Sequence, residues 1–247
     1  MLELKNISKK YKNHEVLHDI NLAIETGEIV TLLGPSGCGK TTLLNMILGL
    51  TEVSGGEILF NHEEIQHKPM GKRDFNIVFQ DFCLFPHLNA YENIIYGLKN
   101  IKRNVHDKQV TDLIELLDLR PHLYKKIHEL SGGQKQRVSI ARTIVMETKI
   151  LLMDEPLSAL DGVIKESIKE MIQKIAKSLN LTTLIVTHDP EEALTMADKV
   201  VIIENGGIAQ FGTPENIINE PQSEFVEKFI LDQLKVKRKH IYQLFGA

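Results

Sequence analysis

Apolar and polar positions alternate at the start of the chain, at Leu2, Leu4 and Ile7, and apolar residues recur at Val16-Leu17 and from Ile20 to Ile24. A period of two belongs to strands with one buried face, so short strands are expected there. Glu28 to Leu33 (EIVTLL) is instead a continuous apolar run, as expected of a strand covered on both faces. It leads through glycines into a helix expected over Thr41 to Leu50, and Gly55-Gly56 separates that helix from a strand at Glu57 to Phe60. A further strand is expected at Asn76 to Phe79.

From about Phe82 to Met146 the spacing becomes helical, with helices expected at Ala90 to Leu98, at Val105 to Leu117 and from Ser131 onward. Strand and helix then alternate: Ile150 to Met153, Val163 to Leu179, Thr183 to Val186 and Pro190 to Ala197. Asp189, Pro190 and Glu192 give the last of these helices an acidic N-cap, a first-turn proline and an N3 glutamate. A hairpin over Lys199 to Phe211 turns at Asn205-Gly206, and short helices follow Thr213-Pro214 and span Ser223 to Ile230. The order predicts an α/β fold with a parallel-sheet core, an N-terminal antiparallel β region and an inserted helical subdomain. The core lobe is placed at 1–81 and 147–231, the helical subdomain at 82–146, and a basic tail containing KVKRKH (Lys235 to His240) at 232–247.

Charge and composition narrow the partners. The net charge of −4 gives the chain no overall basic character, which argues against nucleic acid. Two cysteines, Cys38 and Cys83, are too few for a disulfide framework and suit a reducing cytosol. Apolar runs such as Ile29 to Leu33 and Leu43 to Leu50 fall short of the roughly 20 residues a spanning helix needs. The N-terminus, MLELKNISKK, does not read as a signal peptide, so any membrane role is expected to act through a partner.

The candidate chemistry begins at Gly34 to Thr41, GPSGCGKT, which fits the phosphate-loop pattern G-x-x-x-x-G-K-[ST]. Glycines 34, 37 and 39 let backbone N–H groups approach phosphate oxygens, and the following helix adds the positive end of its dipole. Lys40 is expected at the β- and γ-phosphates and the Thr41 hydroxyl at Mg²⁺. ILLMDE, Ile150 to Glu155, is an apolar strand ending in two acids, and ligands of open α/β sheets sit at such carboxyl ends. Asp154 is then a Mg²⁺ residue and Glu155 a base for an attacking water. An acid pair in that position is otherwise a helix N-cap or a solvated loop.

The residues that choose among phosphate-loop proteins lie elsewhere. LSGGQ at Leu130 to Gln134, Gln80 after a strand, SALD at Ser158 to Asp161, THD around His188, and Tyr11 near the N-terminus occur once each. In this order they resemble the signature motif, Q-loop, D-loop, switch histidine and adenine-stacking aromatic of the ABC (ATP-binding cassette) family. The resemblance covers Met1 to about Ile230. It implies a P-loop NTPase (RecA-like) cassette that binds ATP with Mg²⁺ and hydrolyses it. It places nucleotide contacts on Tyr11, on Gly34, Pro35, Ser36, Gly37, Cys38, Gly39, Lys40, Thr41 and Thr42, and on Ser131, Gly132, Gly133, Gln134 and Asp161. Catalysis falls to Glu155, His188, Gln80 and Lys40, and metal binding to Thr41, Gln80 and Asp154.

Ser131 is expected to cap a helix whose first N–H groups, at Gly132 and Gly133, face outward to the γ-phosphate held by a second copy. One phosphate loop and one signature per chain then imply a head-to-tail homodimer, or a pair with a paralogous cassette. The family adds integral-membrane permease subunits and a place on the cytoplasmic face of the membrane. QDFCLFPHLNAYENIIYGL, Gln80 to Leu98, resembles the region in importers of polyamines, ferric iron, sulfate and maltose that receives a helix of the permease. That implies an extracytoplasmic substrate-binding protein as well, and leaves Leu84, Phe85 and Leu88 exposed in a lone cassette, unless they pack the helical subdomain. Importers of this group usually continue into a β-rich regulatory domain, so regulation of the maltose type is not inferred.

Other readings are an exporter ATPase subunit, a soluble ABC ATPase, a small-molecule phosphoryl transferase and a GTPase. No guanine-reading Asn-Lys-x-Asp was found. Tyr11 alone could equally pack a core, Cys38 is read as a small loop residue despite the helix dipole beside it, and the basic tail as solvated.

Overall fold

The structure, a computed structural model, describes residues 1–101 and 108–245. Strands β1 (Leu2–Tyr11) and β2 (His14–Ile24) pair antiparallel, with Leu2 opposite Ile24 and Tyr11 opposite His14. The two apolar stretches expected as separate strands are thus one strand. Its broken alternation between Leu17 and Ile20 reflects an irregularity at Asp19, whose φ of 47° lets both side chains reach the core. Strand β3 (Ile29–Leu33) is buried throughout and leads into α1 (Lys40–Leu48), which ends earlier than expected at left-handed Gly49. Then come β4 (Gly55–Phe60), β5 (Glu63–Glu64) and β6 (Phe75–Val78).

The helical block contains α2 (Ala90–Asn100), α3 (Lys108–Leu116) and α4 (Gly132–Ile144). The expected start of α3 at Val105 lies outside the described residues. Alternation resumes with β7 (Ile150–Asp154), α5 (Gly162–Ser178), β8 (Thr182–Thr187), α6 (Pro190–Met196), β9 (Lys199–Glu204) and β10 (Gly207–Gly212). Helix α7 (Pro214–Asn219), the short α8 (Glu224–Val226), a π-helical stretch (Glu227–Asp232) and α9 (Gln233–Phe245) follow. The basic segment expected as a solvated tail is exposed from Lys235 to His240, and it is helical, as part of α9.

Among the described residues the strands form two sheets. One has the order β2-β1-β4-β5; the other has the order β10-β9-β3-β8-β7-β6, parallel except for the β9–β10 hairpin. Period-two alternation in the second sheet sends side chains to opposite sides. Val30, Leu32, Ile150, Leu152, Leu184 and Val186 meet α1 and the antiparallel sheet, whereas Ile29, Leu151, Met153 and Ile185 join the cluster that contains the helical block. Leu43, Leu44, Met46, Ile47 and Leu48 of α1 are buried in the first of these cores. Each contributes about 1.5–3 kcal/mol, which makes α1 a rigid base for the loop before it.

Arg73 closes the far end of α1. Although only 5% exposed, its guanidinium donates to the carbonyls of Met46 (2.8 Å), Ile47 (2.7 Å), Gln66 (2.8 Å) and Lys68 (2.8 Å). It satisfies carbonyls of the last helical turn and places a cation at the negative end of the dipole. Arg73→Ala strands those acceptors, and should lower unfolding free energy by about 2–4 kcal/mol, read as a fall in the urea midpoint.

Helix α6 starts differently from the expected capping box. Asp189 accepts from the Glu191 amide (2.8 Å), while Glu192 turns inward, accepts from the Thr187 hydroxyl (2.6 Å) and pairs with Lys165 of α5. The buried partners win because a carboxylate that is only 8% exposed needs a cation and a donor.

Candidate functional site

Four segments leave the carboxyl edge of the parallel sheet side by side. Within the sheet order β3-β8-β7-β6, the phosphate loop follows β3, His188 follows β8, the acid pair ends β7, and Gln80 lies just beyond β6. The register aligns Leu33 with Thr187, and Asp154 with Val186. Residues far apart in sequence thus converge because parallel strands end together.

The loop itself is tightly built. Gly39 has φ 102°, and a Cβ there would stand 2.6 Å from a Leu17 methyl, so neither the backbone nor the space admits a side chain. Buried Lys40 donates to the carbonyls of Gly34 (2.7 Å) and Pro35 (2.8 Å), holding its charge across the loop at the start of α1. Cys38 is buried with its Sγ 3.9 Å from that ammonium. Burial pushes its thiol up and Lys40 offsets this only partly, which suits a space-filling residue and not a thiolate nucleophile. Ser36, Gly37 and Thr41 are exposed, and Pro35 and Thr42 partly so.

The Asp154 carboxylate faces this loop, and Glu155 follows it. Burial, and next the charge of Glu155, push the Asp154 carboxyl up, while Lys40 and the Thr41 hydroxyl that donates to it pull it back. Glu155 adopts φ 46°, a left-handed conformation uncommon outside glycine, and its amide donates to Val186 (2.9 Å). His188 Nδ1 lies 3.1 Å from Glu155 Oε1, so two adjacent strand ends bring the expected base and the expected switch residue into contact. Ser158 folds the next turn back onto the Glu155 carbonyl (2.9 Å), leading to exposed Asp161 at the start of α5.

The signature occupies a different place. Ser131 Oγ accepts from the Gln134 amide (3.3 Å) and Gln134 Oε1 from the Ser131 amide (3.0 Å), a complete capping box on α4. Ser131 is exposed and Gly132 partly so, but Gly133 is buried, a departure from the outward-facing pair expected. The cause is Ile164 of α5, which would lie 2.6 Å from a Cβ at Gly133. The hydrogen bonds of the Ser131 and Gln134 side chains stay within this helix start and with His122.

Tyr11 ends β1 with 49% exposure, its ring 4.8 Å from the Lys9 ammonium. It is therefore a surface ring and not a core filler.

Gln80 is exposed, and the chain after it bends through positive φ at Phe82 (62°) and Cys83 (46°). Sequence reasoning missed what holds that bend. Ser139 of α4 donates to the Phe82 carbonyl (3.0 Å), and Arg142 donates to the carbonyls of Phe82 (2.9 Å) and Cys83 (2.6 Å). Burial depresses the Arg142 guanidinium. Polar residues three apart on the inward face of α4 were the available signal. Leu84, Phe85 and Leu88 are half-buried, between the exposure expected of a docking surface and packing into the helical subdomain. Leu84 packs on the main cluster, and Phe85 lies 4.4 Å from the ring of Tyr96 with Arg142 over its face at 5.7 Å. Tyr96 itself is exposed.

Comparison with known proteins identifies the family and the fold. A family model described as "ABC transporter" matches residues 17–158. A spermidine/putrescine import ATP-binding protein PotA of Mycoplasma capricolum is 45% identical over 232 residues, covering 93% of this chain and 66% of that protein. A protein of the same name from Borreliella afzelii is 48% identical over 235 residues, covering 93% and 67%. The chain thus spans about two thirds of the length of these relatives. Among solved structures, a dimeric bacterial ABC transporter cassette superimposes with a TM-score of 0.75 at 31% identity, covering 87% of this chain and 99% of that one. The cbiO1 protein of Clostridium perfringens, part of an ABC transporter complex, gives 0.83 at 29% identity over 100% and 98%.

Proposed function

Because the chain belongs to the ABC transporter family, we propose that it is the ATP-hydrolysing subunit of a membrane importer, with residues 1–231 forming the cassette. The observation that carries the reading is the convergence of Lys40, Asp154, Glu155 and His188 on one sheet edge, with Glu155 and His188 3.1 Å apart.

ATP supplies the phosphoryl group and water accepts it. The Gly34–Thr42 backbone and the α1 N-terminus bind the phosphates, Lys40 neutralises charge at the β- and γ-positions, and Tyr11 stacks on the base. Glu155 takes the proton of the attacking water, and His188 holds that carboxylate in place. The residues also fit a magnesium ion: Asp154 is a partly buried carboxylate crowded by Glu155, so a cation relieves the cost of its charge. Thr41, Asp154 and Gln80 would hold Mg²⁺, which supplies further charge neutralisation at the phosphates.

The second half of each site is the signature of a second copy: capped Ser131 with Gly132, and Asp161 beside it at the start of α5. Support comes from solved dimeric cassettes, one described as a post-hydrolysis state bound to ADP and Pi, with a TM-score of 0.74 at 30% identity. Two ATP molecules then bridge the pair, and hydrolysis releases it. In this reading a permease helix docks on the partly exposed patch around Phe85 and Tyr96, with the chain at the cytoplasmic face of a membrane. No described helix is long and apolar enough to cross one. The names of the relatives favour a polyamine as cargo, recognised by a permease and an extracytoplasmic binding protein.

Phosphate release from ATP and Mg²⁺ by the purified chain tests the enzymatic reading. Retention by an integral-membrane complex separates it from a soluble ABC ATPase. Phe85→Asp tests the docking surface: basal hydrolysis should stay within about twofold, while transport in vesicles reconstituted with the permease should fall by about tenfold or more. Full transport would remove this patch from the coupling path.

A further inference from the structure

The C-terminal helix reaches the catalytic edge. Leu231 and Leu234 pack into the apolar cluster that also holds Ala193 of α6, Val200 and Ile230, which anchors the start of α9 beside α6. One turn later, Lys237 crosses to α6: its ammonium lies 3.0 Å from Glu191 Oε2, and 3.4 and 3.5 Å from the two Asp189 oxygens. Lys235 and Arg238 stay with their own helical segment, pairing with Glu227 and Asp232 and with Tyr242.

Asp189 is the residue after His188. Its amide donates to the Thr187 hydroxyl (3.1 Å), its Oδ1 accepts from the Glu191 amide (2.8 Å), and Thr187 in turn donates to Glu192, which pairs with Lys165 of α5. The short loop carrying His188 is thus held from three sides: by β8, by α5, and by α9 through Lys237. Burial pushes the Asp189 carboxyl up, but the Glu191 amide and then Lys237 and Lys165 outweigh it, leaving it below its ordinary value. The carboxylate is therefore charged and available to the latch.

We propose that Lys237 is a positioning residue for ATP hydrolysis: by bridging Asp189 and Glu191 it fixes the loop that presents His188 to Glu155. The inference rests on the proposed ATPase reading and assigns the basic helix, outside residues 1–231, a role in the chemistry of the cassette. Both ion-pair partners are partly exposed, so the bridge adds little to global stability and acts on local order.

The test compares the full chain with K237A, K237M and K237R. In K237A, amide hydrogen exchange over residues 188–193 should rise about threefold or more, and kcat for ATP should fall about fivefold, with KM and melting temperature unchanged. K237R should recover most of both losses and K237M, which keeps the apolar stem without the charge, should not, a difference that loss of helix packing alone would not produce. Exchange and kcat equal to wild type in K237A would overturn the proposal, as would faster exchange with unaltered kcat. A wild-type chain that hydrolysed no ATP would sink the ATPase reading, and with it the positioning role, even if the exchange change showed the contact to be real.

Discussion

Glu155→Gln should cut ATP turnover by about a hundredfold or more while leaving nucleotide binding unchanged. The amide keeps the size of the side chain and its place at the end of β7, and it can still accept from His188 Nδ1, now 3.1 Å away. What it loses is the ability to take a proton from water. The strained backbone at this position, φ 46°, is retained in either residue, so the fold should not respond. ATP that binds without being cleaved continues to bridge two copies, and an ATP-bound dimer should accumulate. Phosphate release at saturating ATP, measured beside binding of a fluorescent nucleotide, reads both parts. Unchanged steady-state hydrolysis would take the base role from Glu155.

Ser131→Arg should abolish cooperative ATP hydrolysis, by about a hundredfold, while each monomer still binds nucleotide. Ser131 is exposed, so the larger side chain need not disturb the core, but the hydroxyl that closes the capping box with Gln134 is gone. Loss of a cap costs about 1 kcal/mol, too little to unfold the cassette. The decisive effect is steric, since a guanidinium would stand where the γ-phosphate held by the facing copy must approach. Among the described residues the side chains of Ser131 and Gln134 bond at their own helix start and to His122, so no damage to the phosphate loop of the same chain is expected. Normal hydrolysis would mean that the signature does not complete a neighbouring site.

Much of this architecture is legible from periodicity because the parallel strands are buried on both faces and read as unbroken apolar runs. EIVTLL and ILLMDE announce β3 and β7, and with them the edge where the loop and the acid pair meet. The contact of His188 with Glu155 was legible only as an expectation of the family resemblance, since it depends on β8 lying between β3 and β7. Pattern reading fails where one residue answers to tertiary partners. Glu192 has the spacing of a capping-box glutamate but turns to Thr187 and Lys165, and Gly133 has the sequence of an outward anion site but is covered by Ile164. Arg73 carries no motif, and the KQRVSIAR run after the signature, which ends at Arg142, does not announce its carbonyl contacts. The function of both arginines, satisfying carbonyls at the end of α1 and at the bend after Gln80, is set by chain segments tens of residues away. The charged segment from Lys235 to His240 is solvated, as its composition implies, but its helix is not legible because the apolar anchors, Leu231 and Leu234, are few and its lysines many.

The proposed cycle stands on ATP acting as the bridge between two copies. Light scattering of the purified chain, with Mg²⁺ and an ATP analogue that cannot be cleaved, measures this directly, in isolation and then with its permease. A mass that doubles with the analogue and returns to that of one chain with ADP is the expected result. A chain that stays monomeric under both conditions, with nucleotide shown to be bound, is incompatible with a site shared between the phosphate loop of one copy and the Ser131 helix of the other.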